Sequence, residues 1–250
     1  MDLKGKTAVV TGSATGIGAA CAIQFARRGA NVVVNYSKSQ AEAEETVAGV
    51  ERAGVKALLV RADCANEAEV VAMMKQAADT FGGIDILVNN AARTYFVHWS
   101  KLFDLTDEMW RNIFDLNVRG AFLCSREASR YMKNPSHIVN IGSVAGFTGE
   151  GSSIPYAASK GALHNLTKAL ARALAPKTRV NCIAPGYVDT RWTAGFGDID
   201  AQRAEETATS PLKHATQPED VAAGVLGIIE GGDVITGQTV LLDGGRSLAG

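Results

Sequence analysis

Tyr156 and Lys160 stand four residues apart in Tyr156-Ala-Ala-Ser-Lys160, a spacing that places both side chains on one face of a helix, one turn from each other. A free phenol titrates near ~10 and exchanges protons poorly at neutral pH, whereas a cation within reach lowers an acid's pKa by roughly 1–3 units. The expectation is a phenol drawn toward working pH by its neighbour and able to give or take a proton. Alone, the same spacing also describes an ordinary surface pair, so its weight depends on what precedes it.

What precedes it is the stretch T-G-S-A-T-G-I-G at 11–18. It follows an apolar run and leads into a segment with Ile17, Cys21 and Phe25 at helical spacing. The order is strand, glycine turn, helix. Glycines permit the tight turn and a close approach of backbone to a pyrophosphate, whose charge meets the N–H groups and the positive dipole end of the helix. Gly12 and Gly16 are separated by three residues, a departure from the common G-x-G-x-x-G form.

The elements that must position these groups are legible as short β-branched runs at 8–10, 31–35, 57–60, 84–88, 138–141, 180–183 and 239–242, with helical patterns between them. Continuous hydrophobicity, as opposed to alternating, implies strands covered on both faces. The fold class expected is α/β, a doubly wound parallel sheet of about seven strands, Rossmann-like, in a single domain over 1–250. In such sheets ligands sit beyond the carboxyl ends of the strands, where the winding reverses. Asn66 with Glu69 reads as a capping box, and Pro218-Glu-Asp220 suits a first helical turn. Segments 107–133 and 153–175 read as long helices with apolar residues on more than one face. The weakly periodic stretch 190–217 is expected to be a lid over the substrate.

With N-N-A-A at 89–92, Asn117, I-G-S at 141–143 and P-G-Y-V-D-T at 185–190, these features resemble the short-chain dehydrogenase/reductase family, in the expected order and over nearly the whole chain. The family usually has glycine where this chain has Ala92, so crowding of the cofactor by that methyl group is the expected consequence. The resemblance implies hydride transfer between a nicotinamide and a carbonyl or secondary alcohol, with Tyr156 as general acid/base and Lys160 lowering its pKa while bonding the nicotinamide ribose. Ser143 would hold the substrate oxygen; a strand-end turn role is its alternative. Asn117 would keep a water in place that links Lys160 to solvent, or else make an internal polar contact. Dinucleotide contacts are expected from Gly12, Ser13, Thr15, Gly16, Ile17 and Gly18, from Asn35, Ser37 and Lys38, from Asp63 and Cys64, from Asn90, Ala91 and Ala92, from Tyr156 and Lys160, and from Pro185, Gly186 and Val188. Asp63 would accept from the adenine amino group or cap a helix. No acid stands at the end of the second strand to bind a ribose 2′-hydroxyl, which favours NADP over NAD, although Asn35 could bond a free hydroxyl.

For the substrate, Tyr95, Phe96, His98, Phe147, Tyr187 and Trp192 suggest an aromatic mouth, and Arg93 and Arg191 read as solvated. The framework is similar to 3-oxoacyl-[acyl carrier protein] reductases and sugar dehydrogenases; a non-catalytic dinucleotide sensor is the reading from another class. A formal charge of −1 and no basic run give no footprint for nucleic acid or an anionic membrane. No apolar stretch approaches the ~20 residues that span a bilayer, so a soluble, cytoplasmic protein is expected. Cys21, Cys64, Cys124 and Cys182 show no metal-ligand spacing, and no metal is expected. By resemblance, the assembly is a homotetramer.

Overall fold

In the computed structural model, residues 1–248 are described. Seven strands, β1 (Thr7–Val10), β2 (Asn31–Tyr36), β3 (Ala57–Arg61), β4 (Ile84–Asn89), β5 (Met132–Ile141), β6 (Thr178–Pro185) and β7 (Thr239–Leu242), form one parallel sheet in the order β3-β2-β1-β4-β5-β6-β7. Alternate strand residues feed opposite faces, as the two-residue period demands. Val10, Val34, Val88 and Ile141 join one core, whereas Val9, Val33, Leu87 and Ile138 join the other.

The first core is covered by α1 (Gly16–Arg27), α2 (Gln40–Glu51) and α9 (Pro218–Gly231). The second is covered by α3 (Glu67–Phe81), α5 (Ala121–Tyr131) and α7 (Ile154–Leu174). Shorter helices α4 (Asp107–Phe114), α6 (Ala145–Thr148) and α8 (Ile199–Thr209) complete the chain. Local signals set several starts: Asn66 Oδ1 accepts from the N–H groups of Ala68 and Glu69, Ser153 accepts from Tyr156 at the start of α7, and Asp220 accepts from Gln217. The carboxylate of Glu69 bonds the Asp63 N–H in place of the cap residue's own, so the expected box is displaced by three residues.

Three expected elements differ. The segment 107–133 is not one helix: α4 and α5 are separated by a π-helical turn at Asp115–Gly120, and Met132 already belongs to β5, which is correspondingly longer than 138–141. The stretch 190–217 is not all loop, because Asp198 caps α8 by accepting from Asp200 and Ala201. Among the described residues, no helix is long and apolar enough to cross a membrane.

Candidate active site

The winding reverses between β1 and β4, and a crevice of about 1320 Å³ opens beyond their carboxyl ends. The glycine turn forms its floor. Gly12 and Gly16 have φ of 60° and 57°, the left-handed region in which a side chain is strained. Gly18 serves packing: a Cβ there would lie 2.5 Å from Asn90 Nδ2 and from the Gly12 carbonyl. Around the turn, Asn35 Oδ1 accepts from the Gly12 N–H at 3.0 Å while its Nδ2 donates to the carbonyls of Ala62 and Val60. Asn90 Nδ2 donates to the carbonyls of Thr11 and Gly12, and the Ser13 hydroxyl donates to Val10. The first N–H groups of α1 have no partner within the helix, Thr15 does not cap them, and its first turn holds no acid. The positive end of α1 is thus left open to an anion, as a dinucleotide pyrophosphate requires.

Asn35 lines the crevice, and its amide is also committed to the turn and to the edge of β3. Ser13 and Gly18 also shape the turn from within but, against expectation, do not line the crevice, and Lys38 stands exposed outside its wall. Thr15, Ile17, Ser37, Asp63, Cys64, Asn90, Ala91, Ala92, Pro185, Gly186 and Val188 do line it. Ala92 adopts negative φ, so the backbone there does not demand glycine. Gly186 is needed for close approach, since a Cβ would lie 2.9 Å from that of Asp243. The Asp63 carboxylate accepts from the Ala65 N–H at 2.9 Å, a turn contact made at the crevice wall.

Opposite the glycine turn, Ser143 follows β5 and Tyr156 lies in the first turn of α7, with Lys160 one turn on. All three line the crevice. Lys160 is 3% exposed; its Nζ donates to the Ile141 carbonyl at 2.7 Å and lies 5.6 Å from the centroid of the Tyr156 ring. The expected acid shift is reversed in this state. Burial pushes the Tyr156 phenol up to about 12 against the opposing pull of the Ser143 hydroxyl, and burial pushes Lys160 down to about 8. The physical reason is that desolvation disfavours both charged forms, while the ammonium is directed at a backbone carbonyl.

Asn117 is buried in the π-helical turn. Its Oδ1 accepts from the Arg93 N–H at 2.8 Å, and its Nδ2 donates to the Arg93 carbonyl and to Ser159 Oγ, each at 3.0 Å. Both amide hydrogens are committed, so the side chain ties the loop after β4 to α7 and makes the internal polar contact.

At the substrate end, Trp192 tilts against Tyr156 with ring centroids 5.9 Å apart, and Phe96 meets Phe196 edge to face at 4.9 Å. Tyr187 lines the crevice. Four expected mouth residues do not: Tyr95 accepts from Asn112, Phe96 backs the lining residue Phe196, His98 bonds Ser100, and Phe147 lies against His164. Arg191 is paired with Glu42 at 2.9 Å across the crevice rim and so is not merely solvated. Sequence reasoning passed over Gln202, Glu206, Arg246 and Ser247, which also line the crevice. No motif marks them, because α8 and the chain after β7 reach the crevice only through the tertiary fold.

A family model described as Enoyl-(Acyl carrier protein) reductase matches residues 12–247. The chain is 40% identical over 244 residues, 96% of each chain, to a protein named as ketoacyl reductase 2 of the granaticin polyketide synthase of Streptomyces violaceoruber. It is 39% identical to 3beta-hydroxysteroid dehydrogenase 1 of Eggerthella lenta, over 99% of this chain and 95% of that one. A short-chain dehydrogenase from Burkholderia cenocepacia, solved in complex with NADP, superposes with a TM-score of 0.90 at 35% identity, covering 99% of this chain and all of that one. With the order of motifs and the sheet topology, these likenesses make the chain a member of the short-chain dehydrogenase/reductase family, a nicotinamide-dependent oxidoreductase acting on carbonyl and CH–OH groups.

Proposed function

We propose that the protein is a reductase of bulky ketones in which Tyr156 transfers the proton, Ser143 holds the substrate oxygen, and Lys160 sustains the phenol. The observation that carries this reading is the convergence of the Ser143 hydroxyl and the Tyr156 phenol on one wall of the crevice whose other wall is the open N-terminus of α1. When bound, the nicotinamide supplies the hydride; the protein's part is to orient, to exclude water and to move a proton. Two hydroxyl donors at one oxygen favour the charge that develops there in the transition state. Lys160 would bond the nicotinamide ribose, and the crevice residues from Thr15 to Val188 would line the dinucleotide. The aromatic walls Trp192, Phe196 and Tyr187 support a large apolar substrate, in keeping with relatives named for polyketide and steroid chemistry. A carrier-linked substrate or a non-catalytic sensor has no observation in its favour.

Preference for NADP is supported by the absence of an acid at the end of β2, where Ser37 faces the crevice beside the exposed Lys38. Residues 190–217, now largely helical, act as the lid. A homotetramer is supported by two separate apolar faces: Val240 and Leu241, each 43% exposed on the β7 edge, and Trp110 and Phe122 on α4 and α5. The decisive experiment follows absorbance at 340 nm with a ketone panel and each dinucleotide. Wild type is expected to turn over with NADPH preferred, and Tyr156→Phe to lose about 10²–10⁴-fold in kcat; equal turnover by the two proteins would refute the catalytic role.

A further inference from the structure

The lid begins with a short 3-10 turn, Thr193–Phe196, that directly follows Trp192. Trp192 and Phe196 both line the crevice, and Trp192 leans on the Tyr156 ring with centroids 5.9 Å apart. Arg203 bonds Asp189 and Gln202 donates to the Thr193 carbonyl, ties that join α8 to the chain's own entry into the lid and do not fix it to the facing loop. That contact is made by Phe96, in the loop after β4. Its ring meets the Phe196 ring at 4.9 Å between centroids and 86° between planes, the edge-to-face arrangement that the ring quadrupoles favour.

Gly195 rests against the same ring. A Cβ there would stand 2.2 Å from Cε2 and from Cζ of Phe96, although the φ of Gly195 lies outside the left-handed region. Glycine is therefore needed at this position for close approach of the turn to the ring, not for backbone conformation. The ring's own base is held on both sides: the Tyr95 hydroxyl accepts from Asn112 at 2.9 Å, and the Val97 N–H donates to the Ser152 carbonyl at 2.9 Å, next to the start of α7. With its neighbours fixed, Phe96 yields to an intruding methyl group only by swinging into solvent, to which it is 44% exposed, and that swing breaks the pairing with Phe196. Beyond the turn, Gly197 has a φ of 120° and nothing within 4 Å of a Cβ, which gives the lid a pivot between the turn and α8.

We infer that Phe96 is a positioning residue: its ring seats the lid turn by way of Gly195 and Phe196, and thereby holds Trp192 against Tyr156. This rests on the ketone-reductase reading and on the lid described with it. The test compares wild type, Phe96→Ala, Gly195→Ala and the double variant by two readouts, neither of which depends on the fraction of folded protein. In brief trypsin treatment without ligand, cleavage after Arg191 and Arg203, taken relative to cuts elsewhere in the chain, is expected to be about three- to tenfold faster in each single variant. KM for 1-tetralone and 2-acetylnaphthalene should rise by a similar factor, with kcat moved less. In the double variant neither quantity should exceed that of Phe96→Ala by more than about twofold, since the ring that the new methyl group would strike is gone. A cleavage ratio or a KM unchanged in either single variant, or changes that multiply in the double, overturns the inference while leaving the reductase reading intact. Absence of turnover for every ketone with either dinucleotide would instead remove the reductase reading, and the cleavage ratios then decide the seating of the lid by themselves.

Discussion

Lys160 and Tyr156 are neighbours that burial pushes in opposite directions, toward the neutral form of each. The lysine is the more testable of the two. Its folded value of about 8 lies below the ordinary 10.5, so between those values the unfolded chain holds a proton that the folded one has released. Stability from this group is therefore fully present above pH 10.5 and lost as pH falls through 8. Urea midpoints across that window should move in favour of wild type relative to Lys160→Met as pH rises, by on the order of 3 kcal/mol in total. Buried thiols such as Cys21, raised to about 12, act in the other direction in both proteins and cancel in the difference. Parallel curves for the two proteins would contradict the placement of Lys160. Glycine is equally specific at this scale: Gly18→Ala would drive a methyl group against Asn90 and the Gly12 carbonyl, whereas Gly227→Ala, at an exposed position of α9, meets nothing within 4 Å. Thermal unfolding should show the first destabilised by about 1–3 kcal/mol and the second stabilised by about 0.5–1 kcal/mol.

Among the elements, the π-helical turn between α4 and α5 has the most consequence. A π turn inserts one residue out of the α register, and here it turns Asn117 inward to hold the loop after β4. Replacing Asn117 by Ala would leave the Arg93 N–H and carbonyl without their partner in a half-buried loop. The expected cost is about 2–4 kcal/mol in the urea midpoint. A fall in kcat should accompany it, as the Arg93 loop forms part of the crevice; unchanged stability would show that water replaces the amide freely. Lid helix α8 is the opposite case. Capped by Asp198 and tethered by Arg203, it lacks an apolar anchor, so it belongs to the low-stability end of the molecule.

The whole molecule is a seven-stranded sheet with two dry cores and two exposed edges, β3 and β7. An unprotected apolar edge invites pairing with another chain. Light scattering should therefore give a mass four times 26.2 kDa, and Leu241→Glu on β7 should lower it toward two chains without loss of the fold. A monomer at micromolar concentration would contradict the assembly and leave Val240, Leu241 and Phe122 without an explanation.

Much of this was legible in the chain itself. Strand positions, the glycine turn and the shared helical face of Tyr156 and Lys160 follow from periods of 2.0 and 3.6 residues and from φ preferences, all of which act over a few neighbours. Long-range facts were not legible. That Asn35 supports the turn, that Arg191 reaches Glu42, that burial outweighs the ammonium at Tyr156, and that Glu206 lines the cleft all depend on partners or walls brought from distant segments. Desolvation and hydrogen-bond partners are properties of a packed interior, and only the tertiary structure determines which groups lose water together.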